Sequence, residues 1–164
     1  MPKTIIGVMG TGKLATPEDL QLAYRLGVEI AANDWVLLTG GKNLGVMDAA
    51  SRGAKSQGGL TVGILSSSDL NEMSDAVDLP IVTDLGNARN NINTLSSKVI
   101  IACGMGLGTA SEVALALKNN KPVVLLKQAS VTCNFFSSIA TERLFFADSV
   151  AAAIALTQEI VAKN

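Results

Sequence analysis

Three glycines at alternate positions lie in the middle of the chain, between an apolar run and an amphipathic segment. They are Gly104, Gly106 and Gly108, and they are followed by Thr109 and Glu112. The run Val99–Ala102 predicts a buried strand, and Ala110–Lys118 predicts a helix. Backbone N–H groups at the start of a helix, with the positive end of its dipole, suit an anion such as phosphate. Alternatively, the glycines only permit a tight turn from strand to helix.

Two further glycine turns follow predicted strands. Gly10–Lys13 comes after the run Thr4–Val8, and Gly40–Gly45 comes after Trp35–Thr39 and before a helix predicted from Val46 to Ala54. The earlier turn is GxG only, so it gives weak support to a dinucleotide site. In the later turn, Gly41 and Gly45 would let the backbone wrap an anion, with Lys42 or Asn43 as side-chain donors. Parallel strands end at one edge of a sheet, where the turns together predict a site for an anionic ligand.

A cationic candidate stands in the polar run that follows another predicted strand. Arg89 opens a segment, continuing to Ser97, that predicts a helix with Ile92 and Leu95 facing inward. Arg89 is either an exposed helix residue or a bidentate clamp for phosphate or carboxylate. Its place between two strand ends favours the clamp.

Several kinds of chemistry are excluded by composition. The chain has no histidine, so the commonest general base and metal ligand are absent. We therefore expect no metal site, and any chemistry must use carboxylates, lysine, arginine, hydroxyls or backbone amides. The two cysteines, Cys103 and Cys133, lack CxxC spacing, and Cys103 is expected to be a small buried apolar residue at a strand end.

Length and charge point to a single domain spanning residues 1–164. Only 16% of the residues are charged and the net charge is −1, so nothing favours nucleic acid or an anionic membrane as a partner. No apolar run reaches the roughly 18 residues that a membrane span needs. Met1–Ile6 lacks the layout of a signal peptide. A cytoplasmic protein is expected.

The alternation of strands and helices predicts the elements that position these turns. It indicates an α/β fold, a Rossmann-like doubly wound parallel sheet with helices on both faces. A helix is predicted after Thr16, with its inward face formed by Leu20, Ala23, Tyr24, Gly27, Ile30 and Ala31. A final helix is predicted after Ser149. The remaining strands are expected at Leu60–Leu65, Leu79–Val82, Val123–Leu126 and Leu144–Phe146. Irregular loops are expected at Ser66–Asp78, with its acidic side chains merely solvated, and at Gln128–Ser138.

Two of the turns carry a recognisable pair of motifs. They resemble those of the Rossmann-like superfamily once labelled lysine-decarboxylase-like, whose members carry a GGxxGxM turn and a PGGxGTxxE turn. The GGxxGxM turn corresponds to Gly40–Met47, with one extra residue if both glycines are counted. The PGGxGTxxE turn corresponds to Gly104–Glu112. The similarity extends from Ile5 to about Leu126.

Within that superfamily the chain is similar to two branches. The cytokinin-activating phosphoribohydrolases cleave the N-glycosidic bond of a nucleoside monophosphate with an arginine and a glutamate, and Arg89 and Glu112 occupy the matching places. The molybdenum cofactor carrier proteins have a turn and helix similar to Cys103–Lys118, and the segment Phe135–Ser138 also resembles that branch. Gly104-Met105 stands where the hydrolases have Pro-Gly, which favours the carriers. The alternatives are the hydrolase and a nucleotide-binding regulator.

The carrier resemblance implies a ligand and a mode of binding. The protein would bind, protect and transfer molybdenum cofactor, a pterin dithiolate with a phosphate and a molybdenum-oxo group, without covalent catalysis. Gly106, Gly108 and Thr109 would hold one anionic group. Gly40, Gly41 and Lys42 would hold the other.

The implied site and partners complete this hypothesis. Arg89 would pair with negative charge, and Glu112 would bond pterin N–H groups or orient Arg89. The residues expected at the site are Gly10, Thr11, Gly12, Lys13, Gly40, Gly41, Lys42, Asn43, Gly45, Met47, Arg89, Asn90, Gly104, Met105, Gly106, Leu107, Gly108, Thr109 and Glu112. Family resemblance also implies a homo-oligomer, dimer or tetramer, with molybdenum enzymes as acceptors. For the hydrolase alternative, the ligand is a nucleoside monophosphate.

Overall fold

A computed structural model describes residues 2–140 and 142–163. Over this part of the chain, seven parallel strands form one sheet in the order β4-β3-β2-β1-β5-β6-β7. The strands are β1 (Ile5–Gly10), β2 (Val36–Thr39), β3 (Thr61–Leu65), β4 (Leu79–Val82), β5 (Val99–Cys103), β6 (Val123–Leu126) and β7 (Leu144–Ala147). Three of them, β2, β5 and β6, are buried along their whole length. This explains their continuous apolar sequences.

The helices cover both faces of the sheet. They are α1 (Pro17–Ala32), α2 (Gly45–Ser56), α3 (Asn90–Ser96), α4 (Leu107–Lys118), α5 (Ser130–Ile139) and α6 (Val150–Ala162), and a short 3-10 turn occupies Gly86–Arg89. Apolar side chains of α1, α2 and α6 form a core on one face. Those of α3, α4 and α5 form a second core on the other face. The predicted doubly wound α/β fold is therefore confirmed.

Local sequence accounts for two of the helix starts. The Thr16 hydroxyl accepts a hydrogen bond from the Asp19 amide at 3.1 Å, and the Asp19 carboxylate accepts one from the Thr16 amide at 2.9 Å. This reciprocal capping box fixes the start of α1. The Ser149 hydroxyl accepts from the Ala152 amide at 3.2 Å and caps α6, as the sequence predicts.

Two kinds of local prediction are wrong. The segment expected to be an irregular loop, Gln128–Ser138, contains α5, because Phe136 has an apolar site to fill under the sheet. Leu20, Tyr24 and Leu95 were expected to face inward, yet they expose 38%, 42% and 48% of their surface. Ala23, Gly27 and Ile30 are buried on the inward face of α1 as expected, together with Leu26.

The order of the strands determines where a ligand can bind. Chain connections run outward in one direction from β1 through β2 to β4, and in the other direction from β5 through β6 to β7. The reversal falls between β1 and β5, whose backbones pair from Ile6–Val99 to Gly10–Cys103. In open parallel sheets, ligands bind beyond the carboxyl ends of the strands at such a reversal. No helix among the described residues is long and apolar enough to span a bilayer.

Candidate functional site

A cavity of about 180 Å³ opens at this reversal. It is lined by residues from the ends of β1 and β2, the start of α2, the 3-10 turn, α3 and the first turns of α4. The lining residues are Val8, Met9, Gly10, Gly12, Gly40, Met47, Asn87, Arg89, Asn90, Gly108, Thr109 and Glu112. Three glycine turns, an arginine and a glutamate that are separate in sequence thus meet in one place.

The turn before α4 presents unpaired backbone donors. Gly106 is the N-cap residue, and it has no side chain with which to accept a hydrogen bond from the following amides. The Ala110 amide donates to the Gly106 carbonyl at 2.8 Å, whereas the amides of Leu107, Gly108 and Thr109 have no backbone acceptor among the described residues. Of these residues, Gly108 and Thr109 line the cavity. The helix therefore starts with free donors and a positive dipole end at the cavity wall.

Gly104 gives this turn its shape. Its φ is +72°, and a β-carbon there would lie 2.6 Å from the Thr11 hydroxyl oxygen. Proline is fixed near a φ of about −65°, so it cannot occupy this backbone conformation. The replacement of the Pro-Gly of the hydrolase motif by Gly104-Met105 thus changes the backbone of the turn.

Arg89 provides the positive charge of the site. It is the last residue of the 3-10 turn and is only 8% exposed. Its Nε is buried without a hydrogen-bond partner among the described residues. Its guanidinium lies against the backbone of Gly40, where a β-carbon would be 2.8 Å from Nη2. Burial lowers the pKa of Arg89, while the Glu112 carboxylate raises it. Arg89 takes part in none of the ion pairs found among the described residues.

Glu112 lies on α4 at the same cavity and is 7% exposed. Its Oε1 accepts a hydrogen bond from Nδ2 of Asn93 at 2.8 Å. Burial raises the pKa of Glu112, and the Asn93 hydrogen bond and the Arg89 charge oppose that rise. The carboxyl group is therefore held as a weaker acid than an exposed glutamate.

Several amides of the turn between β2 and α2 are already bonded. The Gly41 amide donates to the Thr39 hydroxyl at 3.0 Å, and the Asn43 amide donates to the Glu72 carbonyl at 2.7 Å. The Lys42 ammonium pairs with the Glu72 carboxylate at 2.6 Å. The expectation that the acids of the loop Ser66–Asp78 are merely solvated is wrong for Glu72. This turn offers an anion fewer free donors than the turn before α4.

The structure brings together part of the predicted site. Nine predicted residues line the cavity: Gly10, Gly12, Gly40, Met47, Arg89, Asn90, Gly108, Thr109 and Glu112. The other ten do not line it: Thr11, Lys13, Gly41, Lys42, Asn43, Gly45, Gly104, Met105, Gly106 and Leu107. Of these, Lys13 and Leu107 point to solvent, with Leu107 93% exposed. The roles of all nineteen residues as ligand contacts stay predictions.

Sequence reasoning missed Asn87, which lines the cavity, and Asn93, which bonds Glu112. A signal existed, because Arg89, Asn93 and Ser97 are spaced four residues apart and share one helix face. All three are buried, at 8%, 0% and 1% exposure. The inward face of α3 is largely polar. Of the two apolar residues expected there, Ile92 packs against the second core and Leu95 is exposed. Cys103, in contrast, is buried as expected, and burial raises its pKa to about 12.

Comparisons with known proteins agree with this geometry. The molybdenum cofactor binding protein of the phototrophic bacterium Rippkaea orientalis is 57% identical and has a TM-score of 0.97, over 98% of this chain and 99% of that one. The molybdenum cofactor carrier protein MCP of Chlamydomonas reinhardtii is 52% identical with a TM-score of 0.94, over 98% and 99% of the two chains. The cytokinin riboside 5'-monophosphate phosphoribohydrolase of Mycobacterium tuberculosis is 29% identical over an alignment of 153 residues that covers 81% of this chain and 82% of that protein.

Similarity to both carriers and hydrolases is therefore confirmed, and it is much stronger to the carriers. The sequence profile of the SLOG cluster4 family matches residues 3–154, which is nearly the whole chain. This chain belongs to the SLOG cluster4 family.

Proposed function

We propose that this protein binds molybdenum cofactor and carries it without covalent catalysis. The observation that carries the proposal is Arg89, a buried guanidinium whose Nε has no partner, facing a cavity beside the uncapped start of α4. The cofactor identity rests on the similarity to carrier proteins at 52% and 57% identity. The cavity itself supports the more general property, which is affinity for an anionic group.

Electrostatics explain why an anion fits. An unpaired buried cation is costly, since it has lost its hydration without gaining a counter-charge. A phosphate oxygen at the cavity would accept from the guanidinium of Arg89 and from the amides of Gly108 and Thr109. Such charge-assisted hydrogen bonds are about twice as strong as neutral ones. The cofactor phosphate or the molybdenum-oxo end would meet this requirement.

The size of the cavity suggests how a larger ligand would lie. Its volume is about 180 Å³. Pockets that enclose whole drug-sized ligands measure about 300–1,000 Å³. The cavity would therefore enclose one anionic group, and the rest of the ligand would extend over the rim formed by the turns Gly10–Lys13 and Gly40–Gly45.

The proposal is tested with protein isolated from a host grown with ample molybdate. We expect mass spectrometry to detect the pterin and metal analysis to detect molybdenum in the wild type. Arg89→Met should lose both, whereas Arg25→Met should keep them, because Arg25 is an exposed arginine on α1. If neither pterin nor molybdenum accompanies the wild type, and purified cofactor fails to bind it, the carrier function is refuted.

A second candidate function is hydrolysis of a nucleoside 5'-monophosphate at its N-glycosidic bond. The specific observation in its favour is that Glu112, with a raised pKa, faces the same cavity as Arg89. A buried carboxyl group with a raised pKa can act as a general acid toward the leaving base. This function predicts release of free base from a panel of nucleoside monophosphates, abolished by Glu112→Gln. A panel without turnover would eliminate it.

We also propose a cytoplasmic homo-oligomer, a dimer or tetramer, that delivers its ligand to molybdenum enzymes. Exposed apolar side chains support self-association. On α5, Val131, Phe135 and Ile139 are spaced four residues apart and expose 74%, 57% and 64% of their surface. Light scattering of the purified protein tests the assembly, and a molecular mass of one chain would refute it.

A further inference from the structure

Asn93 is a buried amide with one satisfied end and one unsatisfied end. The residue is 0% exposed, and its Nδ2 donates to Oε1 of Glu112 at 2.8 Å. Within the part of the chain that the structure describes, its Oδ1 is buried without a hydrogen-bond partner. The same Nδ2 also lies 3.9 Å from Sδ of Met9, a weak acceptor. A buried amide oxygen without a donor is unusual and calls for an explanation.

The charges around Glu112 are few. Its helix, α4, packs against α3, β1, β5 and β6. Those four elements contain no lysine, arginine, aspartate or glutamate, and their sole titratable side chain is Cys103, a protonated thiol. On α4 itself, Lys118 is exposed at the opposite end of the helix. The ionised form of Glu112 is thus supported by Arg89 across the cavity and by the donor end of Asn93.

A bound anion would weaken the support that Arg89 gives to the ionised form of Glu112. It would neutralise the field of Arg89 and add negative charge beside the carboxylate, so the ionised form of Glu112 would be disfavoured. The carboxylate would then take up one proton from solvent. A neutral carboxyl group has an O–H donor, and the Asn93 amide, rotated by half a turn, would present Oδ1 as its acceptor.

We propose that Asn93 is a positioning residue that pairs with Glu112 in both protonation states, so that anion binding in the cavity is coupled to uptake of a proton. This inference rests on the proposed function only in that the cavity binds anions. It explains why the residue beside Glu112 is a buried amide, which can donate from one end and accept at the other.

The coupling is measured by titration calorimetry of the full chain with AMP, a phosphate monoester that is stable in air. Titrations at one pH in buffers of different protonation enthalpy give the number of protons taken up. We expect the wild type to take up more protons per bound AMP than Glu112→Gln does, with a difference of up to one proton. The variant is the control for protons that the AMP phosphate itself exchanges. Across the transition, AMP affinity should fall by up to about tenfold per pH unit as pH rises.

The role of Asn93 is tested by the midpoint pH of the fall in AMP affinity. Asn93→Leu removes the donor to ionised Glu112, so the midpoint should move to higher pH, whereas a packing role would leave it unchanged. Asn93→Ser, whose hydroxyl both donates and accepts, should restore part of the shift and serves if the leucine variant does not fold. AMP binding with equal proton uptake in wild type and Glu112→Gln would overturn the coupling alone. If neither AMP nor molybdenum cofactor binds, the anion site and the proposed function fail together.

Discussion

The contact between Gly40 and Arg89 gives the most discriminating test of the site. A β-carbon at Gly40 would lie 2.8 Å from Nη2 of Arg89, closer still to Nη1, and 2.7 Å from Sδ of Met47. Ordinary contacts begin at 3.4 Å, so Gly40→Ala must displace the guanidinium by at least about 0.6 Å. Both displaced groups are ends of flexible side chains, and the backbone of Gly40 is not left-handed. The protein should therefore still fold.

The displaced guanidinium should weaken ligand binding much more than stability. A hydrogen bond to a charged group contributes about 1.5–3 kcal/mol, and losing one corresponds to about 10- to 150-fold weaker binding. The change in the free energy of unfolding should stay near 1 kcal/mol, which is a shift in melting temperature of about 2–4 °C for a chain of this size.

The assay is equilibrium binding of molybdenum cofactor under anaerobic conditions, with the bound fraction determined by molybdenum analysis after ultrafiltration. A double-mutant cycle shows whether the effect passes through the arginine. If it does, Gly40→Ala should weaken binding in the wild type but add little in an Arg89→Met background. Unchanged affinity in Gly40→Ala, or losses that simply add in the double variant, would refute this account of the site.

Three further predictions concern stability. Arg89→Met should abolish anion binding without lowering the melting temperature, because it replaces an unpaired buried charge by an apolar side chain. We expect the melting temperature to stay the same or rise, and calorimetry measures it. A large drop in melting temperature would contradict this prediction. Gly27→Ala should destabilise the fold by about 1–3 kcal/mol or more, measured by urea unfolding. A β-carbon at Gly27 would lie 2.7 Å from the Ala54 amide and closer still to the Ala50 carbonyl, and backbone cannot move aside easily. The pKa of Glu112 is raised on folding, so its contribution to stability is greatest below the pKa of an unfolded glutamate and is lost as pH rises through the folded value. The slope reaches at most about 1.4 kcal/mol per pH unit. Glu112→Gln should remove it from unfolding curves measured across that range, and an unchanged slope would count against the burial argument.

Some features were predictable because their causes are local or repeat along the chain. Thr16 followed by Pro17 and Asp19 predicts the start of α1, and the capping box forms as expected. The apolar runs of β5 and β6 predict strands buried on both faces. Parallel strands must end at one edge, so the glycine turns that follow them were correctly expected to lie near one another.

Other features depended on which neighbours the fold supplies. Periodicity alone placed Leu95 inward and overlooked Asn93, because it assumes that the inward face of a helix is apolar. The face of α3 that meets the ligand cavity and Glu112 is polar instead. Similarly, α5 forms where the sequence suggested a loop, since Phe136 fills an apolar space that exists only once the sheet is assembled.

By itself, then, the sequence determined the strands, the caps, the glycine turns and the family motifs, since each arises from residues close together in the chain. The tertiary structure alone decided which of these groups act together. The fold left the first amides of α4 without backbone acceptors among the described residues, whereas it bonded several amides of the turn between β2 and α2. It paired Lys42 with Glu72. It also buried Arg89 without a partner. The physical reason is that hydrogen bonding and burial are satisfied between segments distant in sequence, so an unsatisfied charge becomes visible only after every possible partner has been placed.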